Sequence, residues 1–324
     1  METTDSRADR VCRAFADDVA EGLAANPKTI CCKYLYDQAG SRLFKQIMEL
    51  EEYYPTRCEL EILENHKEQI AALVGGARFA LVELGAGDGL KTKVLLSSFL
   101  ERGLQFRYVP IDISESALKG LTAEIKTVFC GLQVQGLATD YFAGLKWLSR
   151  TDRNRSVVLF LGSNIGNFSP CEAEIFLKHV RCSMNAGDFA LIGFDLKKDT
   201  ETMVRAYNDS RGVTARFNMN VLRRINDELG GNFDLNCFEY YSSYNPRSGA
   251  VESFLISRHK QEVWIEACRQ TFYFDEWEPI HTESSYKFRE REFAGLAEKS
   301  GFEVRANFYD TRRFFANSLW QARR

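Results

Sequence analysis

Residues 81–92 read Leu81-Val-Glu-Leu-Gly-Ala-Gly-Asp-Gly-Leu-Lys-Thr92: an apolar run, three glycines at alternate positions, then the start of an amphipathic stretch. A buried strand that turns through glycine into a helix gathers backbone N–H groups and a helix N-terminus at one point, and the missing Cβ atoms let a ligand come close. The turn reads as a nucleotide cradle. Taken alone, the three glycines also suit a purely structural turn.

Two kinds of nucleotide site compete at such a turn. A dinucleotide fingerprint is Gly-x-Gly-x-x-Gly with an acid about 20 residues further on, whereas S-adenosylmethionine methyltransferases favour an acid just before Gly-x-Gly. Here Glu83 precedes the turn and the third glycine, Gly89, comes one residue early. The next apolar run ends in Pro110-Ile-Asp112, where a carboxylate suits the two ribose hydroxyls, and the one after leads to Asp140-Tyr141, suited to an adenine amine and ring stacking. Acids after three successive strands favour methyl transfer over a nicotinamide-dependent oxidoreductase. Any single acid is also a candidate helix cap.

Outward from the turn, short β-branched runs at 79–84, 107–113, 132–137, 156–162 and 189–195 alternate with helical spacing at 91–102, 116–129 and 170–185. That alternation predicts a doubly wound α/β sheet. After Asp195 it stops: residues 196–288 are rich in Tyr, Phe and Asn, with strand-like runs at 251–257 and 263–274. It resumes with a helix at 290–300 and strands at 302–309 and 316–322. The expected organisation is a discontinuous sheet domain, 58–196 plus 288–324, and a second lobe formed by 1–57 packing with the insertion 197–287.

Of 324 residues, 45% are hydrophobic and 27% charged, and the net charge is −3 with Lys and Arg dispersed. An ordinary globular core is affordable, and no basic stripe marks a nucleic-acid partner. No run approaches the roughly 20 apolar residues that span a bilayer, and Met1 to Arg10 lack a signal peptide's apolar core; a cytoplasmic monomer without membrane or nucleic-acid partners is expected. Nine cysteines without Cys-x-x-Cys spacing and four scattered histidines predict reduced, mostly buried thiols and no metal site.

The sequence resembles the histidine Nα-methyltransferase family of ergothioneine biosynthesis along nearly its whole length. The matching segments are Lys33-Tyr-Leu-Tyr-Asp-Gln-Ala-Gly-Ser41, Glu52-Tyr-Tyr-Pro-Thr-Arg57, Glu83-Leu-Gly-Ala-Gly87, Leu159-Phe-Leu-Gly-Ser-Asn-Ile-Gly-Asn167, Asp195-Leu-Lys-Lys-Asp-Thr200, Ala206-Tyr207, Gly212-Val-Thr-Ala-Arg-Phe-Asn218 and Thr282-Glu-Ser-Ser-Tyr-Lys-Phe288. The resemblance implies a seven-stranded, Rossmann-like methyltransferase sheet with an inserted substrate-binding lobe. It implies that S-adenosylmethionine is held by Gly85, Lys91, Asp112, Asp140 and Tyr141, and a small amino acid by Tyr53, Asn167, Tyr207, Glu283 and Ser285. Tyr36, Gly162 and Thr214 match further pocket positions.

These residue types suit those roles chemically. Asn167 lies in the loop after the fourth strand, where such sheets bind ligands, and its amide both donates and accepts. Tyr207 is able to donate to a carboxylate, and Glu283 and Ser285, two apart in an extended segment, would face one side and grip an imidazole. The competing readings are packing aromatics for Tyr53 and Tyr207, an exposed ion pair for Glu283 and a turn residue for Asn167. Ser253, in Val251-Glu-Ser-Phe-Leu255, stands where actinobacterial members carry a pocket methionine, and Ser284 and Tyr286 depart from small apolar or thiol residues.

The reaction expected is in-line displacement of the sulfonium methyl by a neutral α-amine, positioned by Tyr36 and Asn167, with L-histidine carried as far as the trimethyl betaine hercynine. Relatives acting on tryptophan share the scaffold, so a tryptophan methyltransferase is the alternative within the family. A silent binding module is the alternative outside it.

Overall fold

The computed structural model describes residues 7–151 and 155–324. Phe79–Leu84 (β1) is a strand with all six side chains buried, as an apolar strand is when parallel neighbours flank it and helices cover both faces. Six more strands share its sheet: Phe106–Asp112 (β2); an edge strand in two pieces, Gln133–Val134 and Leu137–Ala138 (β3); Arg155–Phe160 (β4); Phe189–Asp195 (β5); Phe302–Tyr309 (β6); and Phe315–Ala322 (β7). Their order is β3-β2-β1-β4-β5-β7-β6, with β7 antiparallel to both its neighbours and the rest parallel. This is the seven-stranded, Rossmann-like α/β sheet. The chain reverses its direction of progress between β1 and β4, and the crevice at the carboxyl ends of two such strands is where open α/β sheets bind ligands.

Local chemistry explains the helices between the strands. Ser169 caps Pro170–Cys182 reciprocally with Glu172, and Pro170 fills the first turn, where no N–H is needed. Ser114 caps Glu115–Val128. The core on one side of the sheet includes Phe194 stacked on both Phe293 and Trp320.

The chain divides into two units, 54–199 with 286–324, which carries this sheet, and 1–53 with 200–285. The division falls at 53/54, 199/200 and 285/286, against the expected 57/58, 196/197 and 287/288; the first boundary moves because the helix Tyr54–Val74 belongs in full to the sheet unit. The other unit has a four-stranded sheet in the order Lys28–Thr29, Pro279–Tyr286, Ala250–Ser257, Phe238–Asn245, together with the helices Arg7–Ala24, Gln38–Met48 and Val213–Leu229. Lys28 and Thr29 pair in parallel with Ile280 and His281, tying the N-terminal segment to the insertion.

Three expectations are corrected. The run 263–274 is a hairpin, Gln261–Ile265 with Gln270–Phe274, turning through Arg269 at positive φ. The run 132–137 is interrupted rather than continuous. All nine cysteines are free, but only Cys58 is buried, and five are exposed. Among the described residues no helix is long and apolar enough to cross a membrane.

Candidate active site

In the sheet unit, β1 ends at Leu84 and the backbone turns at Gly85 with φ +74°. The Gly85 N–H donates to the Ile111 carbonyl at 2.8 Å. A Cβ on Gly85 would lie 2.8 Å from Tyr141 Oη and 3.0 Å from Asn164 Nδ2. Polar groups from the helix after β3 and the turn after β4 thus converge on a point that only glycine leaves open.

Asp112, at the end of β2, accepts the Gly87 N–H at 2.9 Å on Oδ2 and the Ser114 N–H at 2.8 Å on Oδ1. Each carboxylate oxygen accepts more than one donor, so this pair of bonds fixes Asp112 for hydroxyls without saturating it. Asp140 is the cap of Tyr141–Thr151, accepting the Ala143 N–H at 2.9 Å, so the helix-cap reading applies to it, and its side chain is anchored beside Tyr141. Leu90, Ile113 and Phe142, which follow Gly89, Asp112 and Tyr141 directly, are among the exposed large apolar residues. Open apolar surface beside a few fixed polar groups suits a flat heterocycle with a ribose.

Glu83 faces away from this surface. It is buried and accepts hydrogen bonds from Thr92 and Tyr108, and burial pushes its carboxyl up to about 7 against those two donors. It anchors the first turn of the helix after the glycines from beneath. Lys91, in that same turn, reaches Glu59 Oε2 at 2.7 Å, and the Gly162 N–H donates to the same oxygen at 2.7 Å. Asn167 ends a short turn of helix, Asn164–Asn167, and is half-buried.

The cradle yields a direct test. Gly85→Ala places a Cβ against Tyr141 and Asn164 and forces an L-residue into left-handed backbone, which costs about 1–2 kcal/mol. That strain lowers stability; affinity for S-adenosylmethionine, by titration calorimetry, is expected to fall about 10-fold because the added Cβ fills the point on which Tyr141 and Asn164 converge, and unchanged affinity would remove Gly85 from the site.

In the other unit, aromatic rings assemble around the N-terminal motif. Tyr36 meets Phe44 and Phe217 edge-on at 5.4 and 5.3 Å, Phe44 meets Tyr53 at 6.1 Å, and Tyr53 meets Tyr207 at 6.1 Å. Tyr207 Oη and Ser285 Oγ are 2.7 Å apart. Tyr53, Tyr36, Tyr207 and Ser285 are therefore brought into one connected group. Glu283 is buried on the same strand, and its negative charge acts with burial to push the Tyr240 hydroxyl up. Thr214 is buried on Val213–Leu229: its N–H donates to Asp209, and its carbonyl accepts from Asn218, whose Oδ1 receives the Thr282 hydroxyl at 2.6 Å. Thr214 thus reaches the Glu283 strand through Asn218.

Three residues were not anticipated: Glu59, Asn164 and Tyr240. Tyr240 Oη donates to the Tyr207 carbonyl at 2.7 Å and lies 3.0 Å from Ser253 Oγ, so the hydroxyl of Ser253 is engaged by a neighbouring strand. Asn164 sits inside a quoted motif and was available; Glu59 looks like one more carboxylate on a helix.

A family described as histidine-specific, SAM-dependent methyltransferase matches residues 15–322. The histidine N-alpha-methyltransferase of Mycolicibacterium smegmatis is 39% identical over 292 residues, 90% of this chain and 90% of its own. That of Mycobacterium tuberculosis is 39% identical over 276 residues, 85% of each. Ergothioneine biosynthesis protein 1 of Schizosaccharomyces pombe is 32% identical over 285 residues, 86% of this chain and 37% of its own length. The nicotinamide reading falls with this match, and the cofactor is S-adenosylmethionine. A glycine turn shaped for a nucleoside, in a chain matched over residues 15–322, places the protein in the S-adenosylmethionine-dependent, histidine-specific methyltransferase family.

Proposed function

We propose that the protein methylates the α-amino group of free L-histidine and continues to the trimethyl betaine, hercynine. The observation that carries the choice of histidine is the buried carboxylate of Glu283, two residues along one strand from Ser285, whose hydroxyl meets Tyr207. A carboxylate and a hydroxyl at that spacing pair with the N–H and the ring nitrogen of an imidazole.

S-adenosylmethionine supplies an electrophilic methyl on a sulfonium; the chain's own residues bind, orient and exclude water. In this reading the methyl donor is taken through Gly85, Lys91, Asp112, Asp140 and Tyr141. The amino acid is taken through Tyr53, Gly162, Tyr207, Thr214, Glu283 and Ser285, and Tyr36 and Asn167 orient the amine. The α-amine of a free amino acid titrates above the ~8 of a peptide N-terminus, because its own carboxylate stabilises the ammonium, so the minor neutral fraction is what attacks and its proton leaves to solvent. The faces of Tyr36, Tyr53 and Tyr207 favour the growing ammonium by about 1–2 kcal/mol through cation–π attraction.

A larger aromatic side chain is the second reading, and Ser253 favours it, because a small hydroxyl drawn to Tyr240 fills less space than a methionine. Purified protein incubated with S-adenosylmethionine and each of the twenty amino acids, read by mass, decides. Histidine gaining one, two and three methyl groups is the expected result; methylation of tryptophan with histidine untouched would overturn it.

A further inference from the structure

Glu59 is fully buried on the helix Tyr54–Val74 and accepts from three donors. Lys91 Nζ and the Gly162 N–H, both at 2.7 Å, share Oε2, and Asn317 Nδ2 donates to Oε1 at 3.2 Å. The sheet makes room for it: a Cβ on Gly193, in the middle of β5, would lie 2.3 Å from Glu59 Oε1. Glycine inside a strand weakens it and marks a close approach, and here what approaches is a charge. A buried carboxylate is costly unless fully bonded, and an apolar residue of similar size is often no less stable, so stability alone does not account for a carboxylate at this position.

The role of Glu59 follows from what Lys91 does. Its ammonium lies 3.0 Å from where a Gly162 Cβ would stand, and Asn164 borders both Gly162 and Gly85. Lys91, Gly162, Asn164, Gly85 and Tyr141 therefore form one cluster at the carboxyl ends of β1 and β4. A lysine has four flexible carbons and loses about 2 kcal/mol of rotamer entropy when fixed; anchoring it in advance removes that loss from ligand binding.

We propose that Glu59 is a positioning residue for the methyl donor, holding the Lys91 ammonium, which keeps two further N–H donors, in place for the carboxylate of S-adenosylmethionine. The inference rests on the assignment of Lys91 to the cofactor made above. Glu59 touches no substrate and acts through Lys91.

The test compares Glu59→Gln, Lys91→Met and the double variant in the full chain, by calorimetric Kd for S-adenosylmethionine and by KM for each substrate. Glu59→Gln is expected to raise the Kd and KM for S-adenosylmethionine about 10-fold, in line with a charge-assisted bond, leaving the KM for histidine within about twofold. The double variant is expected to bind no worse than Lys91→Met, since residues acting in one network are not additive. A Glu59→Gln Kd within about twofold of the parent, or a double variant equal to the product of the two single effects, overturns the inference alone. An unchanged Kd in Lys91→Met overturns the Lys91 assignment and the inference with it. Should Glu59→Gln fail to fold, Glu59→Asp, which keeps the charge but withdraws it by one methylene, must weaken S-adenosylmethionine and not histidine; the reverse pattern overturns the inference.

Discussion

Replacing Glu283 by alanine is expected to lower kcat/KM for histidine by about 100-fold, since a hydrogen bond to a charged group contributes roughly 1.5–3 kcal/mol. The loss should be selective. Turnover of tryptophan, which has no second ring nitrogen to satisfy, should hold or rise as the buried charge disappears, so the ratio of the two rates moves further than either alone. A site built to bond a polar group discriminates by the groups it leaves unpaired. Histidine turnover equal to the parent's would end the assignment of Glu283 to the imidazole, while leaving the cofactor site untouched.

The largest effect on stability is expected at Asp195. This fully buried carboxylate ends β5 and accepts from Tyr54 Oη at 2.8 Å, Lys198 Nζ at 2.5 Å and Lys287 Nζ at 2.8 Å. Burial works to raise its carboxyl, but the two ammonium groups outweigh it and hold Asp195 below its ordinary value, while burial pulls Lys198 down. Asp195→Ala strands two buried positive charges, and breaking a buried pair in this way costs about 3–5 kcal/mol. The unfolding midpoint, followed by circular dichroism, is expected to drop by roughly 6–20 °C. Adding Lys287→Met should recover part of the loss, because the deficit comes from unpaired charge more than from a missing contact. The sign with pH is fixed by the depressed carboxyl: its contribution is complete above about pH 4 and is lost as acid protonates the folded form. The gap between parent and variant should therefore be full at neutral pH and close in acid.

Much of the sheet unit could be read directly, for an identifiable reason. Strands such as Phe79–Leu84 and Phe189–Asp195 are buried on every residue, so their apolar runs stand out against helices of different period. Phe238–Asn245 could not be read that way: it borders its sheet, its burial does not alternate, and its sequence is Tyr and Ser. Val213–Leu229 was legible but overlooked, since Phe217, Val221, Ile225 and Leu229 recur at four-residue steps. In the site, the motif residues were visible because they cluster locally. Glu59 was not, because its three partners lie 32, 103 and 258 residues away, and nothing in Cys58-Glu59-Leu60 separates a buried carboxylate from an exposed one.

The placement of β7 bears on how the protein is made. β5 is buried on every residue, yet its neighbour β7 is synthesised only after residues 196–314 have been made. Until then the nascent chain carries an apolar strand with one row of N–H and C=O groups open, the template on which aggregates grow. Production of this enzyme should accordingly depend on chaperone supply during translation, and a chain cut short before Phe315 should be cleared or precipitate rather than accumulate as a soluble, cofactor-binding fragment.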